Sequence, residues 1–178
     1  MTYANFITSF RIILIPAMVL FFFFNTEGSR YIVTVIFIIA AITDYFDGYV
    51  ARKYNQVTNF GKFIDPVADK ILVVSSLLLI LYGYNKLEIF IPVCIIILRE
   101  VVISSLREWE AINSKKTIEV NKLGKIKTSF QLFAIGFLLF DGTIFTISSY
   151  LIGLYGIYIA AFLSLVSMIK YIRFVIKP

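Results

Sequence analysis

Four aspartates recur at regular spacing in and beside apolar segments of the chain: Asp44, Asp47, Asp65 and Asp69. On a helix, Asp44 and Asp47 (i, i+3) share one side, and Asp65 and Asp69 (i, i+4) also share one side. A carboxylate at the centre of a membrane helix costs roughly 2.5–3.5 kcal/mol, so four of them need compensating charge. Two antiparallel helices joined by the polar residues 53–60 would bring the four together. Hard oxygen ligands at that density suit Mg²⁺, Mn²⁺ or Ca²⁺.

Pairing with nearby cations is the alternative use of these carboxylates. Asp44 and Asp47 could cap a helix end or pair with Arg52, and Lys62 could pair with Asp65. These local partners are too few for four acids on converging faces. The metal-binding interpretation is therefore favoured.

The order of these residues resembles the signature of the CDP-alcohol phosphotransferases. The match reads Asp44-x-x-Asp47-Gly48-x-x-Ala51-Arg52, then eight residues, then Gly61-x-x-x-Asp65-x-x-x-Asp69. That family consists of integral membrane enzymes that join a CDP-linked alcohol to a second alcohol and release CMP. The resemblance implies a cofactor of Mg²⁺ or Mn²⁺, as two ions among the four aspartates. It also implies that Asp69 acts as the general base.

Small residues near the aspartates are assigned to the nucleotide lipid. For Gly48 and Gly61 the resemblance implies room for the cytidine and backbone contacts to it. The alternative for both glycines and for Ala51 is close packing of membrane helices, which favours small side chains. Arg52 is expected to reach the pyrophosphate, and its alternative is to extend to the membrane interface.

Shorter segments resemble the phosphatidylglycerophosphate synthase branch of this family. They are Asn5-Phe6-Ile7-Thr8-Ser9-Phe10-Arg11, Arg99-Glu100, Ser105-Leu106-Arg107-Glu108-Trp109 and Gly124-Lys125-Ile126-Lys127-Thr128. The branch usually has a proline where this chain has Ala4. Asn5, Thr8 and Arg11 are expected to help hold the nucleotide or diphosphate, with an ordinary helix start as the alternative.

Four cations in or beside the fourth and fifth apolar segments form a second candidate site: Arg99, Arg107, Lys125 and Lys127. A cation within an apolar helix, as Arg99 is, must meet an anion, a carbonyl or water. A phosphate on the acceptor alcohol would provide that partner through charge-assisted hydrogen bonds. The alternative is a basic cytoplasmic loop with a bridge to the aspartates. Glu100 adjoins Arg99, but neighbouring helical residues diverge, so simple pairing between them is not expected.

The composition predicts an all-α integral membrane protein. The chain has 178 residues, is 60% hydrophobic and contains no histidine, which leaves carboxylates for acid–base chemistry. Its mean hydropathy is +0.88, whereas a soluble domain is nearer half apolar. The net charge of +6 comes from basic residues that flank apolar segments. Anionic lipid headgroups and phosphorylated substrates are therefore expected as partners, and nucleic acid is not.

Six apolar segments predict a bundle of six transmembrane helices in one domain covering residues 1–178. They span about residues 6–24, 31–52, 61–81, 87–106, 125–140 and 149–169, and each is near the ~20 residues that cross a bilayer. Of the 17 lysines and arginines, only Arg30 and Lys86 fall in the alternate loops. The charge distribution places both termini and the aspartates on the cytoplasmic side of the inner membrane.

The family resemblance implies a phosphatidyltransferase in which a hydroxyl of sn-glycerol 3-phosphate attacks the β-phosphorus of CDP-diacylglycerol. The products would be phosphatidylglycerophosphate and CMP, and the resemblance also implies a homodimer. One alternative keeps the chemistry but uses phosphatidylglycerol, serine or an inositol phosphate as acceptor. A remote alternative is a divalent-cation transporter, but the four acids fall toward cytoplasmic helix ends and no second acidic site offers an exit.

Overall fold

The computed structural model describes the backbone of residues 3–24, 26, 28–53, 59–113, 122–144 and 146–176, and the side chains of residues 10–24, 26, 28–43, 64–109, 126–143 and 146–173. Within these ranges the chain forms six α-helices: α1 (Tyr3–Phe23), α2 (Ser29–Lys53), α3 (Asn59–Tyr84), α4 (Leu87–Asn113), α5 (Lys122–Phe140) and α6 (Ser149–Ile176). Two short strands, β1 (Thr143–Ile144) and β2 (Ile147–Ser148), pair antiparallel before α6. The predicted helical fold is confirmed.

Several helices extend beyond the apolar segments that predicted them, most of all α4 and α6. The fourth apolar segment was predicted to end at about residue 106, but α4 continues to Asn113. This boundary was wrong because hydropathy marks the apolar window and not the helix. Intrahelical hydrogen bonds form in water as well as in lipid, and residues such as Arg107 and Glu108 propagate a helix readily.

The outer surface of the bundle is apolar. Large side chains that are more than half exposed include Leu20, Leu78, Leu98, Tyr155 and Phe162. Two helical segments in the described ranges are long and apolar enough to cross a bilayer, Leu87–Trp109 and Ser149–Arg173. Shorter apolar segments are Phe10–Phe23, Ser29–Thr43 and Ile126–Phe140. So much exposed apolar surface is unusual for a soluble monomer and indicates association with a membrane.

Helices α5 and α6 pack closely because small residues line their interface. A Cβ added at Gly153 would lie 2.6 Å from Cγ of Leu138, and one added at Gly156 would lie 2.9 Å from Cβ of Ala134. Only a hydrogen fits at either glycine. In lipid, helix association depends on close van der Waals contact, which small residues permit.

One end of the bundle is held by a network of charged and aromatic side chains. The guanidinium of Arg30, at the start of α2, lies 4.7 Å from the centroid of the Phe22 ring near the end of α1. Its Nη2 is 3.9 Å from Oδ2 of Asp141, which follows α5. Tyr84, the last residue of α3, donates a hydrogen bond of 2.7 Å to Oδ1 of Asp141. The ring of Tyr84 also packs against that of Tyr150 in α6, with centroids 4.9 Å apart.

Helix α4 joins this network through Glu88 in its first turn, which accepts a hydrogen bond from the hydroxyl of Tyr150. The network therefore connects the ends of α1, α3 and α5 to the starts of α2, α4 and α6. We call this the distal end of the bundle and the opposite end the motif end. Burial and the hydrogen bond to Asp141 raise the pKa of Tyr84, so its hydroxyl remains a donor.

Two helices stop at the distal end through the same backbone conformation. Asn85 and Asp141 have φ values of 47° and 45°, in the left-handed region that ends many helices and that asparagine and aspartate tolerate. The amide of Asn85 still donates to the carbonyl oxygen of Leu81 at 2.9 Å. These turns place Asp141 where Arg30 and Tyr84 reach it.

Replacing Tyr84 with phenylalanine is expected to destabilise the bundle. A hydrogen bond to a charged group contributes about 1.5–3 kcal/mol, so the midpoint of thermal unfolding in detergent should fall by several degrees. The matched control is Tyr155→Phe, because Tyr155 is 70% exposed on α6. Equal midpoints for Tyr84→Phe and the wild type would show that the distal network adds no stability.

Candidate active site

A buried arginine and two aspartates lie toward the motif end of α1 and α3. Asp65 and Asp69 come six and ten residues after Asn59, the first residue of α3, which is about 9 and 15 Å along the helix axis. Nη1 of Arg11 donates a hydrogen bond of 2.7 Å to Oδ1 of Asp69. The Arg11 side chain is fully buried, whereas that of Asp69 is 46% exposed. A residue of α1 thus orients a carboxylate whose side chain stays partly exposed.

The expectation that Arg11 helps to hold the nucleotide or diphosphate stays a prediction. Its contact with Asp69 was not predicted, because residues 58 positions apart meet only in the folded bundle. A charge-assisted bond from a buried guanidinium fixes the carboxylate strongly. Arg11 therefore orients one of the predicted site residues.

The carboxylates of α3 fit a divalent cation. Asp65 and Asp69 are half-buried, one helical turn apart, and offer hard oxygen ligands. Mg²⁺ is commonly held by one or two carboxylates with substrate phosphates completing its shell. Among residues with described side chains, no group of three or more potential metal ligands is present. Asp44 and Asp47 lie in α2, and their side chains fall outside the described residues, so the four-aspartate site stays a prediction.

The predicted nucleotide residues occupy the helix ends that flank these aspartates. Gly48, Ala51 and Arg52 lie in the last turns of α2, Gly61 in the first turn of α3, and Asn5 and Thr8 in the first turns of α1. Their side-chain surroundings lie outside the described residues. The helix bounds place all six toward the motif end, and their contacts stay a prediction.

The predicted acceptor residues Arg99 and Lys127 meet at one carboxylate. Nη1 of Arg99 lies 3.3 Å from Oε1 of Glu100, and Nζ of Lys127 donates to the same oxygen. Nη2 of Arg99 lies 3.2 Å from Oγ of Ser167 in α6. Arg99 and Lys127 are buried, so their charges are held in an environment where ion pairing is strong.

One expectation about this cluster was wrong. Arg99 does pair with Glu100, because their long side chains bend toward each other although their Cα–Cβ directions diverge. Lys127 also bridges to Glu100, a contact that was not predicted. The apolar surroundings explain both contacts, since a buried cation takes the carboxylate nearest to it.

Arg107 lies farther toward the end of α4. It is seven residues beyond Glu100, so both share one face, about 10 Å apart along the axis. Arg107 is exposed, and its guanidinium carbon lies 5.9 Å from the centroid of the Tyr171 ring in α6. The side chain of Lys125, in the first turn of α5, is outside the described residues. Arg99, Arg107 and Lys127 thus border the same α4–α5–α6 region.

Further polar side chains continue this region and were not predicted. Gln131 follows Lys127 by one turn on α5, and Ser164 precedes Ser167 by one turn on α6. In the described part of the chain, Oε1 of Gln131, Oγ of Ser164 and Nε of Arg99 are buried without a hydrogen-bond partner. The i, i+4 spacing of Lys127 and Gln131 could have predicted that both side chains lie on one polar face of α5. The serines could not, since serine in an apolar helix usually bonds its own backbone.

An apolar groove of about 680 Å³ lies between α2 and α5 and is lined by side chains of both helices. Its lining is Thr34, Phe37, Ile38, Ala41, Ile42, Leu132, Phe133, Gly136, Phe137 and Phe140. The hydroxyl of Thr34 donates to the carbonyl oxygen of Arg30 at 2.8 Å, so it offers no free donor. At the distal end, the rings of Tyr31 and Phe140 meet edge to face with centroids 5.2 Å apart.

Comparison with known proteins gives consistent matches over nearly the whole chain. The family model for CDP-alcohol phosphatidyltransferase matches residues 1–171. Three relatives carry the name CDP-diacylglycerol–glycerol-3-phosphate 3-phosphatidyltransferase. The Wigglesworthia glossinidia brevipalpis protein is 44% identical over 93% of this chain and 90% of its own length. The Haemophilus influenzae protein is 46% identical over 94% and 90%, and the Escherichia coli K12 protein is 40% identical over 93% and 90%.

Replacing either aspartate of α3 is expected to weaken divalent-cation binding without any substrate present. Asp65→Asn and Asp69→Asn each remove one charged ligand, so Mn²⁺ affinity should fall at least about tenfold. Electron paramagnetic resonance of free Mn²⁺ in detergent measures this directly. Glu108→Gln, which removes an exposed carboxylate of α4, is the matched control. If Asp69→Asn bound Mn²⁺ as tightly as the wild type, Asp69 would not be a ligand.

Proposed function

The chain belongs to the CDP-alcohol phosphatidyltransferase family, and from that premise we propose that it transfers the phosphatidyl group of CDP-diacylglycerol to sn-glycerol 3-phosphate. The products are phosphatidylglycerophosphate and CMP. The observation that carries the proposal is the 40–46% identity, over more than nine-tenths of the chain, to relatives whose name states this reaction.

The proposed enzyme spans the inner membrane with six helices. The motif end faces the cytoplasm, where both termini lie and where nucleotide-activated substrates are made. Three features support this arrangement: the apolar outer surface, the alternating direction of the helices implied by the distal network, and the basic residues flanking the motif end. The family resemblance also supports a homodimer.

Asp44, Asp47, Asp65 and Asp69 are proposed to hold Mg²⁺ or Mn²⁺, as two ions. Such ions, when bound, neutralise the charge of a pyrophosphate and make its phosphorus more open to attack. The half-buried carboxylates of Asp65 and Asp69 support this assignment. The remaining steps fall to the side chains themselves.

Asp69 is proposed as the general base. The acceptor hydroxyl gives its proton to Asp69 as its oxygen bonds to the β-phosphorus, and the bond from that phosphorus to the oxygen of CMP breaks. Arg11 supports this role by holding Oδ1 of Asp69 at 2.7 Å, which fixes the direction of the carboxylate. Positioning of a base within reach of the proton comes before any adjustment of its pKa.

The nucleotide part of the lipid is proposed to bind along the last turns of α2 and the first turns of α1 and α3. Gly48, Ala51 and Gly61 leave space for the cytidine, and Arg52 contacts the pyrophosphate. Asn5 and Thr8 contact the nucleotide or diphosphate from α1. The helix bounds support this by placing all these positions at the same end of the bundle as Asp65 and Asp69.

The phosphate of the acceptor is proposed to bind Arg99, Arg107, Lys125 and Lys127. Arg99 and Lys127 share only one carboxylate in the described part of the chain, so this buried pair keeps a net positive charge. Nε of Arg99 also has no partner within the described residues. Arg107 is exposed closer to the helix end and is placed to meet the phosphate first.

An acyl chain of the nucleotide lipid is proposed to lie in the α2–α5 groove. The groove follows α2 from Thr34 to Ile42, and Asp44 comes one turn after Ala41, so the groove leads toward the aspartates. Its walls are apolar, as a hydrocarbon chain requires. The groove is open at Gly136, where an added Cβ would meet only Cε1 of Phe37, at 4.0 Å.

The first test measures CMP release by purified protein in detergent with CDP-diacylglycerol and Mg²⁺. Release should require glycerol 3-phosphate, stop in excess chelator, and fall at least about a hundredfold in Asp69→Asn, within the usual range for loss of a general base. Parallel assays offer glycerol, serine, inositol phosphate or phosphatidylglycerol. Release that needs one of these instead of glycerol 3-phosphate would refute the proposed acceptor and leave the aspartate site standing.

The groove assignment is tested by substitutions at Gly136. Gly136→Phe should raise KM for CDP-diacylglycerol with long acyl chains at least about fivefold and leave KM for a short-chain analogue unchanged. Gly136→Ala should behave as wild type, because its Cβ makes an ordinary contact with Phe37. Val35→Phe adds the same bulk on an exposed face of α2 and should change neither KM. Equal effects of Gly136→Phe on long and short chains would remove the acyl chain from this groove.

A further inference from the structure

Glu100 is the only carboxylate that the described part of the chain brings to Arg99 and Lys127. Both cations contact its Oε1 atom. The Glu100 side chain is 22% exposed, whereas those of Arg99 and Lys127 are 9% and 3% exposed. Two buried cations therefore depend on one carboxylate that itself reaches the open side of the helix.

Without that carboxylate, Arg99 and Lys127 would repel each other. Both nitrogen atoms lie within hydrogen-bonding range of the same oxygen, so they are close together in an environment that screens charge poorly. Removing one partner of a buried ion pair leaves the other charge uncompensated. Glu100 therefore sets the separation of the two nitrogens as well as their charge balance.

The geometry points to Glu100 as a positioning residue for Arg99 and Lys127. In the resting enzyme, its carboxylate contacts both cations at the position that the phosphate oxygens of the acceptor occupy during turnover. The inference rests on the proposed function, which makes these cations the phosphate site. A carboxylate oxygen and a phosphate oxygen accept the same charge-assisted hydrogen bonds from lysine and arginine. The incoming phosphate thus competes with Glu100 for both cations.

The charges of the described residues match this role. Arg99, Arg107 and Lys127 supply three positive charges and Glu100 one negative charge, which leaves two positive charges for a phosphate monoester dianion. Removing the carboxylate would leave three positive charges and no competitor. The anion would then bind more tightly, but Lys127 and Arg99 would lose the contact that orients them.

The unpartnered polar atoms beside the cluster support an exchange of partners. Within the described residues, Nε of Arg99 and Oε1 of Gln131 are buried without hydrogen bonds, and a buried group left in this state costs about 1–3 kcal/mol. A phosphorylated polyol offers phosphate oxygens to the first atom and hydroxyl donors to the second. The resting cluster therefore keeps a net positive charge and two buried polar atoms that a phosphorylated polyol can satisfy.

The test compares Glu100→Gln with Glu100→Asp and with Glu108→Gln. Glu100→Gln keeps the shape of the side chain and removes its charge. It should lower both KM for glycerol 3-phosphate and the inhibition constant of inorganic phosphate at least about fivefold, lower kcat, and leave KM for CDP-diacylglycerol unchanged. Glu100→Asp should lie between this variant and the wild type. Glu108→Gln removes an exposed charge of the same helix and should change no constant more than about twofold.

A stability role alone predicts a different result. A partly unfolded Glu100→Gln protein would lose kcat with both constants unchanged, and that outcome would overturn the inference. So would a rise in KM for glycerol 3-phosphate, which would mean that the carboxylate helps the phosphate to bind, or an equal effect of Glu108→Gln.

Phosphate affinity is also measured without turnover, as the increase in the thermal midpoint on adding inorganic phosphate. A larger increase at low phosphate concentration in Glu100→Gln than in the wild type supports competition, and an equal or smaller increase contradicts it. This measurement separates the two proposals. Failure of glycerol 3-phosphate to support CMP release in the wild type refutes the proposed function, whereas the phosphate shift tests Glu100 in either case.

Discussion

A charge inside an apolar bundle must be paired, and this constraint organises the structure. Three cations are buried among the described residues, Arg11, Arg99 and Lys127, and each contacts a carboxylate. In each contact the cation is buried, whereas the carboxylate stays partly exposed. Because an unpaired buried charge costs several kcal/mol, each contact also fixes a helix: Arg11 ties α1 to Asp69 of α3, and Lys127 ties α5 to Glu100 of α4.

The two ends of the bundle use polar residues differently. At the distal end, Arg30 and Tyr84 both contact Asp141, and all six helices take part through neighbouring rings and carboxylates. Toward the motif end, Arg11 holds one oxygen of Asp69, whose side chain stays 46% exposed. The distal network keeps the helices in register at its own end, while the predicted site residues lie toward the other end.

In the α4–α5–α6 region, one carboxylate determines the spacing and the net charge of two buried cations. Considered singly, Arg99 and Lys127 are basic residues near a membrane surface. Once Glu100 lies between them, they form a cluster of defined spacing and net charge. Ser167 and Gln131 extend this cluster from other helices, so its properties depend on the packing of three helices and not on any single motif.

The sequence alone predicted the six helices, the membrane setting and the family, because apolar segments and the spacing of aspartates are local properties. Asp65 and Asp69 share a face of α3 for that reason, since a helix fixes i, i+4 neighbours by its own geometry. Contacts between helices could not be obtained in this way. The pairing of Arg11 with Asp69 joins residues far apart in the chain, and Lys127 reaches Glu100 across the α4–α5 connection. Only the tertiary structure decided which carboxylate each buried cation meets, because that choice depends on which helices are neighbours and how far each side chain extends.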